Sequence, residues 1–229
     1  MYKKTVLIIL IALGGPGNLY AAVGCTLNDP DRDIKRLFPK VTNYKTEFIT
    51  IEDHGGEKLA KEIETKLKDK LEPTYESIDV PYAYYTVLEK KQTIGYVHGV
   101  NQKGMYGGIQ LILATDPNGV IVDCYYQKIT SPESKKFKDK EFTKRFVGLS
   151  LADFYTKDLK KKIEDPSKKC AEDYLATLRG IKKNLILHDK FKLKDRYDKY
   201  FYSDEKKNKK ENINKDGKET KDEDKKQKQ

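Results

Sequence analysis

An α+β fold, a mostly antiparallel sheet with helices packed on it, is what this chain predicts, and three observations predict it. Strand-like segments crowd the middle of the sequence, tight turn signals join them, and helical periodicity takes over only after them. Residues 82–89 (YAYYTVLE) and 93–100 (TIGYVHGV) flank a short charged turn. Residues 109–115 (IQLILAT) and 120–129 (VIVDCYYQKI) are joined by Asp116-Pro117-Asn118-Gly119, where proline presets φ and Asn-Gly tolerates positive φ. Four strands linked by tight turns form a meander, not a doubly wound parallel sheet.

The elements before the meander form an N-terminal extension, residues 26–80. Ile34 to Phe38 is a short segment with an apolar face, ended by Pro39. Residues 47–52 (EFITIE) alternate polar and apolar, as a half-buried strand should. After His54-Gly55-Gly56, Leu59, Ile63, Leu67 and Leu71 recur every fourth residue, which predicts an amphipathic helix closed by Pro73. Beyond the meander, Phe142, Phe146 and Val147 mark one short helix, and Leu151, Phe154, Tyr155, Leu159 and Ile163 a second. Tyr174, Leu178, Ile181 and Leu185 mark a third, and residues 190–202 read as a continuation whose aromatic side chains dock on the body.

Both ends read as non-globular. Residues 1–22 have the order of a signal sequence: Lys3 and Lys4, the apolar run TVLIILIAL, a Gly-Pro break and then Ala21 and Ala22. That run is far shorter than the ~20 residues a membrane span needs. Ala22-Val23-Gly24-Cys25 resembles a lipobox, so lipidation of Cys25 competes with ordinary cleavage; export to the periplasm or the outer face of the cytoplasmic membrane follows from either. Residues 204–229 hold ten Lys against eight acids and a single apolar residue, Ile213, too little apolar surface to offset ordering entropy, so a disordered tail is expected. The net charge of +10 is carried by interspersed charges without Arg-rich or aromatic-interleaved stripes. A nucleic-acid partner is therefore not expected.

Residue chemistry alone points to no hydrolase. No GxSxG, P-loop or GxGxxG occurs in the sequence. Cys25, Cys124 and Cys170 make no CxxC, and a buried free thiol is expected at Cys124, on an apparent strand. His54, His98 and His188 lack ligand spacing, so no metal site is expected.

The informative stretches are residues 104–121 (GMYGGIQLILATDPNGVI), 142–154 (FTKRFVGLSLADF) and 172–187 (EDYLATLRGIKKNLIL). In their order and spacing they resemble the FMN-binding domain shared by the G subunit of Rnf-type electron-transport complexes and the C subunit of sodium-translocating NADH:quinone reductase. The resemblance spans a little under half the chain and assigns residues 81–203 to an FMN-binding-like domain. In that family the flavin phosphate is esterified to a threonine in a Ser/Thr-Gly-Ala-Thr motif. Here Ala176 and Thr177 match, whereas Tyr174 and Leu175 depart from it. The family's Glu-Thr-Pro segment near the isoalloxazine corresponds to Ile129-Thr130-Ser131-Pro132.

The resemblance therefore implies FMN as cofactor, with Thr177 as its attachment point just before or within the first turn of the closing helix. It further implies Ala176, Tyr106, Gly107, Gly108 and Thr130 near the cofactor. Covalent flavin, non-covalent flavin and a flavin-free family fold remain open alternatives. The function implied is an extracytoplasmic electron carrier, rather than a stand-alone enzyme, working between a membrane electron-transfer complex and a periplasmic redox protein. The alternatives are a flavin-free binding or scaffold module of an envelope assembly and a structural envelope lipoprotein.

Overall fold

The computed structural model describes residues 26–203. The expected signal sequence, the lipidation of Cys25 and the expected disorder of residues 204–229 lie outside the described residues. The fold is α+β: a five-stranded antiparallel sheet in the order β1-β2-β3-β4-β5, with helices before and after it.

The meander runs as its turn chemistry dictates: β2 (Tyr82–Glu89), β3 (Gln92–Lys103), β4 (Gly108–Thr115) and β5 (Ile121–Ile129). Strands β4 and β5 pair antiparallel from Ile109 opposite Ile129 to Thr115 opposite Ile121. The Asp116 carboxylate accepts from the N–H groups of Asn118 and Val120 at 2.8 and 2.9 Å, and Gly119 takes φ 84°. A glycine is the natural residue there, because an L side chain is strained at that φ.

The extension is built into the same sheet. β1 (Asn43–Ile49) pairs antiparallel with β2, so the strand expected at residues 47–52 starts four residues earlier and ends at Ile49. It ends because Thr50 caps the next helix, accepting from the Asp53 N–H at 2.9 Å. That helix, α2 (Ile51–Leu67), carries a break at Gly55 and Gly56, so the regular part begins where the sequence predicts and a capped turn precedes it. Lys68, at φ 60°, terminates it before Leu71, and Pro73 opens the short helix α3 (Pro73–Glu76) rather than closing α2.

Helix α1 (Pro30–Leu37) covers one face of the sheet, packing Ile34 and Phe38 on Ala83, Tyr85, Val87, Val97, Ile112 and Ala114. The other face carries the larger core. There α2 and α8 (Ala171–His188) bury Leu59, Ile63, Ile181 and Leu185 against Tyr84, Val100, Leu111 and Leu113. Residues 82 to 85 of β2 are consequently all buried. In the chain, the short helices α4 (Ser134–Phe137), α5 (Lys140–Thr143), α6 (Leu151–Thr156) and α7 (Leu159–Lys162) come between β5 and α8.

The helix expected through Leu151 to Ile163 is thus two helices. Ser150 and Asp153 form a reciprocal capping box that starts α6, Lys157 turns extended, and Asp158 sits at the N-cap of α7. Phe142 and Phe146 are buried as expected, but Val147 is exposed. After α8 a π-helical turn (Asp189–Leu193) leads to Tyr197 and Phe201, which are buried in the main core, while Tyr202 is exposed. Cys124 and Cys170 are free and buried; burial pushes the Cys124 thiol up to about 12. Among the described residues no helix is long and apolar enough to cross a membrane.

Candidate functional site

The residues assigned by resemblance gather at one end of the sheet, where the β3–β4 loop and the residue after β5 meet the start of α8. In the loop, the Gly104 N–H donates to the Gly107 carbonyl at 2.8 Å. Gly107 has φ 136°, and a Cβ there would lie 3.3 Å from Thr130, so backbone conformation and close approach both call for glycine. Gly108 opens β4, and its carbonyl accepts from the Thr130 N–H. Thr130 is exposed, as are Met105 and Tyr106.

The loop is fastened to α8 by Asp173. This carboxylate is fully buried, and its Oδ1 accepts from the Met105 N–H at 2.7 Å. The same oxygen would stand 2.7 Å from a Cβ on Gly104, so the loop can approach the helix only with glycine at that position.

Thr177 takes a different place from the one its motif implies. It is the seventh residue of α8, not part of its first turn, and it is fully buried. Its Oγ1 donates to the Asp173 carbonyl at 2.8 Å. A threonine hydroxyl has one proton, so the 2.8 Å contact with Tyr126 must be the phenol donating to Thr177. The side chain therefore ties α8 to β5. A phosphate ester would remove the donor, strand the Tyr126 hydroxyl and place a dianion in a dry interior. Covalent attachment at Thr177 does not fit this geometry.

The two preceding motif residues point outward instead. Leu175 is exposed and Ala176 half-buried, and both line a groove of about 500 Å³. Its other walls are residues 69–73, the end of β3 from Gln102 to Met105, and Glu172 and Arg179 of α8. A second hollow of about 360 Å³, floored by Leu67, Leu159 and Leu178, continues past Leu175 and Arg179. Of seven exposed large hydrophobic side chains among the described residues, Met105 and Leu175 line this groove, and Tyr106 follows Met105 in the same loop.

The floor of the groove is a buried ionic network. Arg179 donates to Asp69 at 2.5 Å, to Glu76 at 2.7 and 3.0 Å, to Gln102 at 2.7 Å and to the Lys70 carbonyl at 2.6 Å. Lys183, which is fully buried, donates to Glu76 and, at 2.7 Å, to the Asn101 carbonyl. Burial alone would raise the Glu76 carboxyl, but Arg179 and Lys183 outweigh it and hold that group below its ordinary range. Arg179 is fully committed to this network. The cation at the rim with no ion-pair partner among the described residues is Lys103; Lys70 pairs with Glu64 at 2.7 Å.

At the other end of α8, two histidines separated by most of the meander and all the later helices come together. The rings of His98 on β3 and His188 stack with centroids 4.7 Å apart, and Tyr84 stacks on His98 at 4.6 Å. Thr115 Oγ1 lies 3.2 Å from His188 Nε2. Burial lowers both groups, His98 well below its ordinary value and His188 to about 3. Their lone pairs do not converge, since the ring planes lie 24° from parallel. Spacing in the sequence could not signal this pair; the only clue was that each shares its element's inward face with core residues such as Val100 and Leu185. Glu62, Asp195 and Asp198 also converge, but Lys66 and Lys190 sit among them as ion-pair partners.

No protein-family model matches the chain, and no curated protein is significantly similar to it.

Proposed function

We propose that this chain is an exported FMN-binding electron carrier that holds its flavin non-covalently in the α8 groove. Its partners would be a membrane electron-transfer complex on one side and a periplasmic redox protein on the other. The observation that carries the reading is that Met105 and Leu175, exposed and apolar, line a groove together with Ala176 of the motif, with exposed Tyr106 next to Met105 in the same loop. Isolated exposed apolar residues need no explanation, but a cluster at a concavity marks a binding surface. FMN, when bound, supplies the one- or two-electron chemistry, so no acid or base is required of the chain. Met105, Tyr106 and Leu175 offer apolar and aromatic surface to a flat ring system, and Lys103 offers a positive charge to a phosphate. An open groove leaves a ligand edge within reach of a docking protein.

The test is titration of the purified chain with FMN, followed by quenching of flavin fluorescence, beside the visible spectrum of protein from its native compartment. Saturable binding weakened by Leu175→Glu and by Lys103→Glu is expected. Intact mass of the native protein separates the alternatives, because a covalent FMN adduct would overturn the non-covalent reading. The burial of Thr177 favours a second reading, a flavin-free family member serving as a binding or scaffold module of an envelope assembly. Absence of flavin from native protein, together with no FMN binding, would decide for it.

A further inference from the structure

Strand β1 closes one side of the sheet, and among the described residues β2 is the only strand paired with it. The opposite side is covered: beyond β5, the Gly148 N–H donates to the Ile121 carbonyl and the Ile121 N–H to the Leu149 carbonyl, both at 2.8 Å. Gln127 of β5 also binds the backbone of Thr26 and Asn28. An uncovered edge strand presents unpaired N–H and C=O groups to any chain that can match it. On β1, every residue from Asn43 to Phe48 except half-buried Tyr44 is exposed, and Phe48 is 63% exposed.

The sequence of this strand, NYKTEFI, complements itself. Placed antiparallel to a second copy with Thr46 opposite Thr46, Tyr44 faces Phe48 and Lys45 faces Glu47, and each pair occurs twice. Aromatic pairs and opposite charges are the favourable cross-strand neighbours in antiparallel sheets. Sliding the pair by one residue sets Lys45 against Phe48, or Tyr44 against Glu47. Sliding it by two sets Glu47 against Glu47, or Lys45 against Lys45. Only the register about Thr46 satisfies both kinds of pair. Lys45 has no ion-pair partner among the described residues, while Glu47 already accepts from Lys192 at 2.7 Å and keeps a second oxygen for another donor.

We propose that β1 is a dimerisation edge: two copies of this chain join across a two-fold axis at Thr46, making one continuous antiparallel sheet. Such an isologous contact closes on itself and leaves no further edge open on that side. The occupant is a second copy, rather than a foreign strand, because the charge and aromatic patterns are matched by the strand itself.

Sedimentation of the full chain over a dilution series tests this, with circular dichroism confirming that each variant is folded. The wild type should approach twice the single-chain mass as concentration rises. K45E sets like charges opposite Glu47 of the second copy and should return the mass to that of one chain. The double variant K45E/E47K restores opposite charges and should restore the dimer. T46C should form a disulfide-linked dimer under mild oxidation. A single-chain mass for the wild type at every concentration would overturn the proposal, as would a dimer unchanged in K45E. Failure of the double variant to recover the dimer would overturn pairing about Thr46.

Discussion

The two ends of α8 bury polar groups in opposite styles. Thr177 and Arg179 in its N-terminal half, and Lys183 one turn further on, find partners together with Glu76 in one another, in Tyr126 and in backbone carbonyls. Of the buried side-chain atoms described in that half, only Asp173 Oδ2 has no protein partner. Around its C-terminal half, both side-chain polar atoms of Asn184, His188 Nδ1, Asp189 Oδ1, His98 Nε2 and the Tyr84 hydroxyl are buried without a protein partner. A satisfied polar network rigidifies what it joins, whereas an unsatisfied group costs stability and makes a region respond to pH. The difference teaches where the molecule is held and where it is tunable. The held end carries the groove.

The largest effect should come from breaking the held end. Glu76→Gln takes from Lys183 and Arg179 the carboxylate they share, and breaking a buried ion pair costs roughly 3–5 kcal/mol. Urea unfolding would measure it; a loss of well under 1 kcal/mol would mean that the network is not a structural anchor.

Acid tests the other end. A histidine whose folded pKa is depressed stays neutral while the unfolded chain takes up a proton, so its stabilising contribution is present above the unfolded value and lost as pH falls. The window runs from 6.5 down toward about 3 for His188. His188 should cost about 2 kcal/mol by roughly pH 5, and His98 acts in the same direction. Unfolding free energy measured across that range should fall steadily with proton uptake on unfolding. A flat profile would abolish the contrast between the two ends.

A smaller effect is expected at Thr177. Thr177→Val keeps the shape and strands the Tyr126 hydroxyl, for a loss of about 1–3 kcal/mol. FMN titration should be unchanged, because the hydroxyl faces β5 and not the groove.

The smallest expected effect has the opposite sign. Burial raises the Asp189 carboxyl to about 6, so its stabilising contribution is full below 3.8 and lost as pH rises through about 6. The full shift corresponds to ~3 kcal/mol at neutral pH, and solvent screening reduces what is realised, so Asp189→Asn should stabilise there by ~1 kcal/mol and leave stability near pH 4 little changed. Thermal melts at the two pH values would show the difference, and destabilisation at neutral pH would refute it.

Local chemistry in the sequence carried the meander, because alternation and the Asp-Pro-Asn-Gly turn act over a few residues. It carried the inward faces of α2 and α8 for the same reason. Three matters were settled only by the assembled fold. Thr50 preferred to cap α2 rather than extend a strand, so β1 shifted upstream and became the sheet's edge. The period of α8 placed Leu175 and Thr177 on opposite sides, but which side met β5 depended on docking against the sheet. His98 and His188 met because β3 and the end of α8 pack together. Contacts that span most of the chain leave no local signature, since the free energy that selects them comes from burying whole faces and not from the residues between.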